Sequence, residues 1–528
     1  MSRFGVDCGA VSLARMLVEP AATSRSVSGR PVTRPGVPRP RTASDRAPAP
    51  AAPYWPRLLA LLAVLACVTR IPSFLWPVWN PDEGFLATQA RMLADGGQLY
   101  ETVVDRKPPL VPWLYRGAFA LFGDDSLVPL KILAVAAVFA TAALLAALAR
   151  RRWGDGAGRT AGVLCVLLSI GLNPEDTQAA TFEVFMLPCT AAAMWCADRR
   201  RWGGAGLAVA AAFLTKQTGA AVLLPVLWLL WQSDRQRAAL LRLAAGALTP
   251  VLTAALVTTP TGFLFWTVTG SGAYASFTGS ELHVLFRALG NTALLAVASA
   301  GILQPVARVL RIARTGATDL WLWLGSSAAA VCLGFHFFGH YYLQLVPALA
   351  LLGTAALQIL PRDWLATALL TTACTCAFFL LWGLIAPRPE LAHAARVAAA
   401  VQSRTPPGER VLVWGIHPET YWLADRPPAS RFLTAGLLTN YSGGRNGPQV
   451  GEKYAVRGAW DTFQGEMTGR PPALVIDDAR GKPFGVERIT GLRKLLERGG
   501  YQRVAVVGGA VFYESESARG ERTSPVTE

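Results

Sequence analysis

Apolar runs near the ~20 residues needed to cross a bilayer recur from residue 58 to residue 386, and short polar stretches separate them. Arginine clusters fall at alternate breaks: Arg150-Arg151-Arg152, Arg199-Arg200-Arg201, then Arg235, Arg237 and Arg242, then Arg308, Arg311 and Arg314, then Arg362. Basic residues mark the cytoplasmic ends of membrane helices. With the clusters inside, the pattern predicts about eleven spans, the first over 57–79, the second over 128–149 and the last over 364–386. Residues 203–232 then cross twice as two short helices, with Lys216-Gln217-Thr218-Gly219 at the outer tip. The loops 80–127 and 263–287 are expected outside.

The pattern changes after residue 387. Short runs at 410–415 and 473–477 read as buried strands, 486–499 as a helix, and 504–513 as one or two further strands. The expected organisation is a disordered cytoplasmic tail over 1–55, a transmembrane region over 56–387, an extracytoplasmic α/β domain over 388–516 and a disordered tail over 517–528. The first tail is rich in Arg, Pro, Ser and Ala and cannot bury a core. It lacks the order of parts of a cleaved signal peptide, so the first apolar run is expected to stay as a span.

Composition agrees with a multi-pass protein of the cell membrane. Of 528 residues, 52% are hydrophobic and only 16% charged, against roughly 25% charged in soluble domains. The net charge of +16 resides largely in the tail and short loops, without the aromatic-interleaved basic groove that nucleic acid requires. All eight Cys but Cys8 lie in or beside apolar runs, where Cys acts as a small hydrophobe. Cys374-Thr375-Cys376 lacks the spacing of a zinc site. Asn440-Tyr441-Ser442 has the form of a glycosylation acceptor.

Chemistry concentrates in residues 80–115. Asp82-Glu83 directly follows the first span, and Asp105-Arg106-Lys107 precedes Pro108-Pro109 and the next apolar run. Asn80-Pro81-Asp82-Glu83 fits a helix start, and a carboxylate there is also rigidly held for chemistry. Arg106 and Lys107 fit either phosphate binding or interfacial anchoring. Glu183 stands about one turn into an apolar run, where a carboxylate is costly without a partner. Glu175 and Asp176 read as solvated loop residues, while Lys216 stands alone between two apolar runs. His336 and His340 have the spacing of one helix face but lack an adjacent acidic third ligand. His340 with Tyr341 or Tyr342 is better suited to hydrogen bonding a polar headgroup.

Taken in order, these residues resemble the GT-C class of integral membrane glycosyltransferases, in the branch of the protein O-mannosyltransferases and aminoarabinose lipid A transferases (families 39 and 83). Asp82-Glu83 resembles that branch's acidic pair. Residues 105–110 resemble its "KPP" element, whose Lys faces the donor phosphate, although Arg106 stands where aminoarabinose transferases usually carry an acid. Phe182-Glu183-Val184-Phe185, Leu214-Thr215-Lys216-Gln217 and residues 340–347 are similar to later landmarks. The resemblance implies a GT-C fold with amphipathic helices in the first outer loop. It implies inverting transfer of a sugar from a polyprenyl-phosphate donor to an acceptor hydroxyl on a lipid, glycan or protein. Asp82 would be the general base and Glu83 its partner. Lys107, Arg106, Lys216, His340 and Tyr341 would bind the donor phosphate. Asp105, Glu183 and Tyr342 would contact acceptor or sugar. No cofactor is required, although some relatives use a divalent ion. The alternative is a transporter or flippase.

Overall fold

Helices account for most of the computed structural model, which describes residues 54–516 except 234, 271–280, 313–316 and 442–448. Residues 1–53 and 517–528 of the expected tails, Arg314 and Ser442 of the acceptor triplet therefore lie outside the described residues, while Tyr54 and Trp55, expected in the first tail, are helical. Local sequence sets the helix ends. Helix α1 (Tyr54–Thr69) leads through a short 3₁₀ turn to α2 (Pro81–Ala94). Pro81 occupies the first turn of α2, and the Asn80 side chain accepts a bond from the Glu83 N–H, 3.1 Å. Helix α3 (Leu110–Phe122) follows Pro108-Pro109. Asp82-Glu83 thus stand at the helix start that the sequence predicts, and Arg106-Lys107 lie in the loop just before α3.

Helix α4 (Val128–Trp153) ends on Arg150-Arg151-Arg152 in its last turn, where positive charge complements the carbonyl end of the helix dipole. It packs along α5 (Asp155–Leu168) and α6 (Phe182–Asp198). Arg152 bonds Asp198 at the end of α6 (2.8 Å) and Asp319 (2.7 Å) near the start of a later helix, Thr318–Cys332. These three helix ends therefore meet.

The 203–232 stretch folds as α7 (Trp202–Thr215) and α8 (Leu223–Trp231), with Lys216 in an extended conformation at the break. Helix α7 packs closely on α9 (Gln236–Val257). A Cβ built on Gly206 would fall 2.1 Å from the Leu243 carbonyl oxygen. Small residues permit this approach between apolar helices. Among the described residues, five helical stretches are long and apolar enough to cross a membrane, and five shorter apolar helices accompany them. The expected loop 263–287 is partly helical: a π turn spans Phe265–Thr269, and α10 (Glu281–Ala298) begins inside the range. The apolar character of residues 282–287 extends the helix past the point at which charge suggested a loop end.

After α11 (Ala300–Ile312), α12 (Thr318–Cys332), α13 (Val346–Ile359), α14 (Arg362–Ile385) and α15 (Pro389–Gln402), the chain enters a four-stranded sheet. Strands β1 (Val411–Trp414), β2 (Leu474–Asp477), β3 (Gln502–Val507) and β4 (Ala510–Glu514) run in the order β1-β2-β4-β3, with β1 and β2 parallel and the other pairs antiparallel. Helices α16 (Glu419–Ala424) and α17 (Ala459–Gly469) occupy the crossover, and α18 (Thr490–Arg498) precedes β3. The helix expected at 486–499 forms only from Thr490 because the preceding residues are turns that return the chain from β2. One hydrophobic core joins this domain to the helices: Tyr100, Val103, Phe263 and Trp266 pack with Trp414, Phe432, Phe463 and Phe484.

Replacing Gly206 with Val should separate α7 from α9. Overpacking of this kind costs about 1–3 kcal/mol, so the melting temperature of the detergent-solubilised protein should fall clearly. An unchanged melting temperature would show that this contact is not tight.

Candidate functional site

Two charge clusters meet beside the sheet domain. Asp82, at the start of α2, lies 3.7 Å from Lys107 Nζ, and both side chains are partly exposed. The Lys107 ammonium also stands 3.9 Å from the centre of the Phe182 ring. Its loop is fixed from several sides. The Tyr100 hydroxyl donates to the Lys107 carbonyl (3.0 Å), and Gln217 Nε2 donates to the Arg106 carbonyl (2.6 Å). Tyr100 itself has φ +71°, a left-handed backbone rare for an aromatic residue.

Next to Phe182, Glu183 is buried and pairs with Lys216. The Lys216 ammonium lies 3.6 Å from the centre of the Tyr341 ring. His340 Nε2 is 3.8 Å from Glu183, and its Nδ1 is 2.7 Å from Asp176. Lys216 also lies within electrostatic reach of Lys107 and Asp82. The structure thus brings Asp82, Lys107, Glu183, Lys216, His340 and Tyr341 together from five segments of the chain.

Other predicted residues take different places. Glu83 is fully buried. Its carboxylate accepts the Trp79 N–H (2.6 Å) and the Ala180 N–H (2.7 Å), tying the first loop to the turn before α6. Burial pushes its carboxyl pKa up, opposed by Lys131, those two backbone donors and Arg388. Asp105 is buried beneath its loop and accepts the Lys107 N–H at 3.3 Å. Burial raises its pKa as well, with Lys107 opposing. The Arg106 side chain is partly buried. The Tyr342 hydroxyl donates to the Ala288 carbonyl (3.1 Å) and lies 3.3 Å from Thr292 Oγ1, so it engages α10 instead of the cluster. His336 and His340 do not share a helix face. The Phe338 ring stacks between them, at 5.7 Å from His336 and 5.4 Å from His340.

Sequence reasoning passed over three participants. Asp176 read as a solvated loop acid, yet it holds His340. Phe182 and Gln217 stood in the landmarks of the family resemblance without a role of their own. For Phe182 and Gln217 the available signal was that each adjoins a predicted site residue, Glu183 or Lys216; Asp176 carried no such signal.

The family model described as dolichyl-phosphate-mannose-protein mannosyltransferase matches residues 106–266, a range that contains Lys107, Phe182, Glu183, Lys216 and Gln217. The crystal structure of ArnT from Cupriavidus metallidurans bound to undecaprenyl phosphate is similar over 88% of this chain and 98% of that one, with 15% identity and a TM-score of 0.60. The apo form matches over 87% and 97%, again at 15% identity, with a TM-score of 0.58. No curated protein matches the chain in sequence. The fold is the GT-C fold that the sequence implies.

Removing one partner of a buried ion pair costs about 3–5 kcal/mol. Lys216→Met should therefore strongly lower the melting temperature, and adding Glu183→Gln should restore most of the loss. A Lys216→Met protein as stable as the parent would show that Glu183 does not need this cation.

Proposed function

We propose that this chain, a membrane glycosyltransferase by its fold and its match to the mannosyltransferase model, moves a sugar from a polyprenyl-phosphate carrier to an acceptor hydroxyl at the outer face of the membrane. The carrier belongs to the chemical class that ArnT binds in its crystal structure. The observation that carries this reading is the meeting of Asp82 with Lys107 at 3.7 Å on partly exposed surface, backed by the buried Lys216–Glu183 pair.

Inverting transfer requires a base that removes the acceptor proton as the new bond forms. Asp82 is the accessible carboxylate of the cluster and takes that role. Negative charge grows on the carrier phosphate as the glycosidic bond breaks. Lys107 neutralises it from a backbone fixed by Tyr100, Gln217 and Pro108-Pro109, and a preorganised cation avoids reorganisation during the step. Lys216 adds positive potential from the buried side, with Glu183, His340 and Asp176 holding it in place. Glu83 acts as the support of Asp82: its two backbone bonds fix the turn from which α2 starts. The acceptor approaches from the Asp82 side, and the carrier lipid from the Lys107 side. Transfer by this route uses no nucleotide diphosphate, so it needs no metal clamp.

Asp82→Asn should lower transfer by about 10²–10⁴-fold, the usual contribution of a general base, with folding unaffected. Donor consumption by the purified enzyme, tested against a panel of polyprenyl-phosphate sugars, measures this. Near-parent turnover would remove Asp82 from the base role. In the same assay Lys107→Ala should raise the donor KM at least tenfold, and an unchanged donor dependence would move the phosphate elsewhere.

A further inference from the structure

The sheet domain grips the helix that carries Asp82. At its near end, a Cβ built on Gly84 would lie 2.3 Å from both Cα and Cβ of Glu419, so α2 and the start of α16 touch through their backbones. At its far end, Arg91 Nη1 is 2.8 Å from Asp425, just past α16, and Arg91 Nε is 2.6 Å from Asp124. The Trp422 indole N–H also donates to the Asp124 carbonyl, 3.2 Å. Helix α16 therefore follows α2 from Gly84 to Arg91.

Helix α16 is itself anchored through charge. The Glu419 side chain is fully buried, and its Oε1 is 3.0 Å from His417 Nδ1. Its Oε2 meets no hydrogen-bond donor among the described residues. His417 Nε2 lies 2.8 Å from Arg480 Nη2 and 3.4 Å from Glu390. Arg480 bonds Glu390 at 2.5 Å and approaches Asp478 at 3.4 Å, and Asp478 bonds His393 at 2.8 Å. A network from α15 and the turn after β2, buried at His393, His417 and Asp478 and exposed at Glu390, thus sets where Glu419 stands against Gly84, two residues along α2 from Asp82. Nothing in sugar transfer itself requires a carboxylate there.

We propose that α16 is a clamp that fixes the aim of Asp82, with Glu419 as a positioning residue for the transfer step. This rests on the reading of Asp82 as general base. Small displacements of a catalytic group, on the order of 1 Å, cost up to ~10²-fold in rate. Loosening the clamp should therefore act on kcat and leave donor binding at Lys107 and Lys216 alone.

The test compares Glu419→Ala, Glu419→Gln and Gly84→Ala in the full-length protein. Glu419→Ala should lower kcat of the folded enzyme about tenfold with donor KM within twofold of the parent. Glu419→Gln, which keeps the shape and the acceptor for His417, should recover kcat to within about threefold. Gly84→Ala suits a helix locally but drives a methyl group into Glu419, and should lower kcat at least as far as Glu419→Ala. Hydrogen exchange supplies a readout independent of turnover: Glu419→Ala should speed exchange across residues 82–94 while β1 and β2 stay protected. Parent-like kcat in both Glu419→Ala and Gly84→Ala would overturn the clamp, as would unchanged exchange in α2. A parent enzyme inactive on every polyprenyl-phosphate sugar would instead sink the transferase reading, with the exchange result still deciding whether α16 holds α2.

Discussion

A carboxylate one residue inside an apolar helix has to be neutralised where it stands, and much of the site follows from that constraint. Glu183 is 2% exposed at the start of α6. Leaving such a charge bare in an apolar interior is far too costly. Lys216 supplies the compensation, and to do so its backbone leaves the helical region and α7 ends there. The same break presents Gln217 to the Arg106 carbonyl. The ring of Tyr341 covers the ammonium, and His340 bridges from Glu183 to Asp176. One neutralisation therefore organises four segments that are distant in sequence.

The pair in front of it behaves differently. Asp82 and Lys107 are 3.7 Å apart with 39% and 28% of their side chains exposed. Exposed ion pairs are worth only about 0–1 kcal/mol. Such a pair separates readily when a substrate offers each member a better partner, whereas the Glu183–Lys216 pair behind it does not. The arrangement combines a stiff electrostatic floor with an easily opened surface.

The parts of this design that depend on single residue types were legible in the sequence. Asn80-Pro81 marked the start of α2, the arginine triplets marked helix ends that the structure brings together, and alternation of apolar runs found β1 and β2. Lys216 was placed at a break because a lone cation between apolar runs has few other options. What could not be read depends on which face a side chain takes after packing. Tyr342 and Tyr341 are neighbours in sequence, but the turn Gly339–Leu345 sends one hydroxyl to α10 and the other ring over Lys216. Glu83 reads as the partner of Asp82, but no local pattern shows that two backbone N–H groups from different loops claim both of its oxygens. Asp176 looked solvated because nothing local shows that His340, 164 positions later, will meet it. The helical part of 263–287 was hidden because charge spacing and apolar length gave different ends.

The core that Tyr100 and Trp266 share with Trp414 and Phe463 bears on the order in which the protein is made. Chains emerge from the ribosome N-terminus first, so the helices up to α14 reach the membrane before any strand exists. Until β2 is synthesised, β1 lacks its parallel neighbour, some sixty residues downstream. The apolar faces of residues 98–104 and 263–266 remain uncovered for the same interval. The acidic end of the site is translated well before the strands of the domain that packs against it. A nascent chain thus carries every charged group of the cluster before it carries the domain that packs against α2.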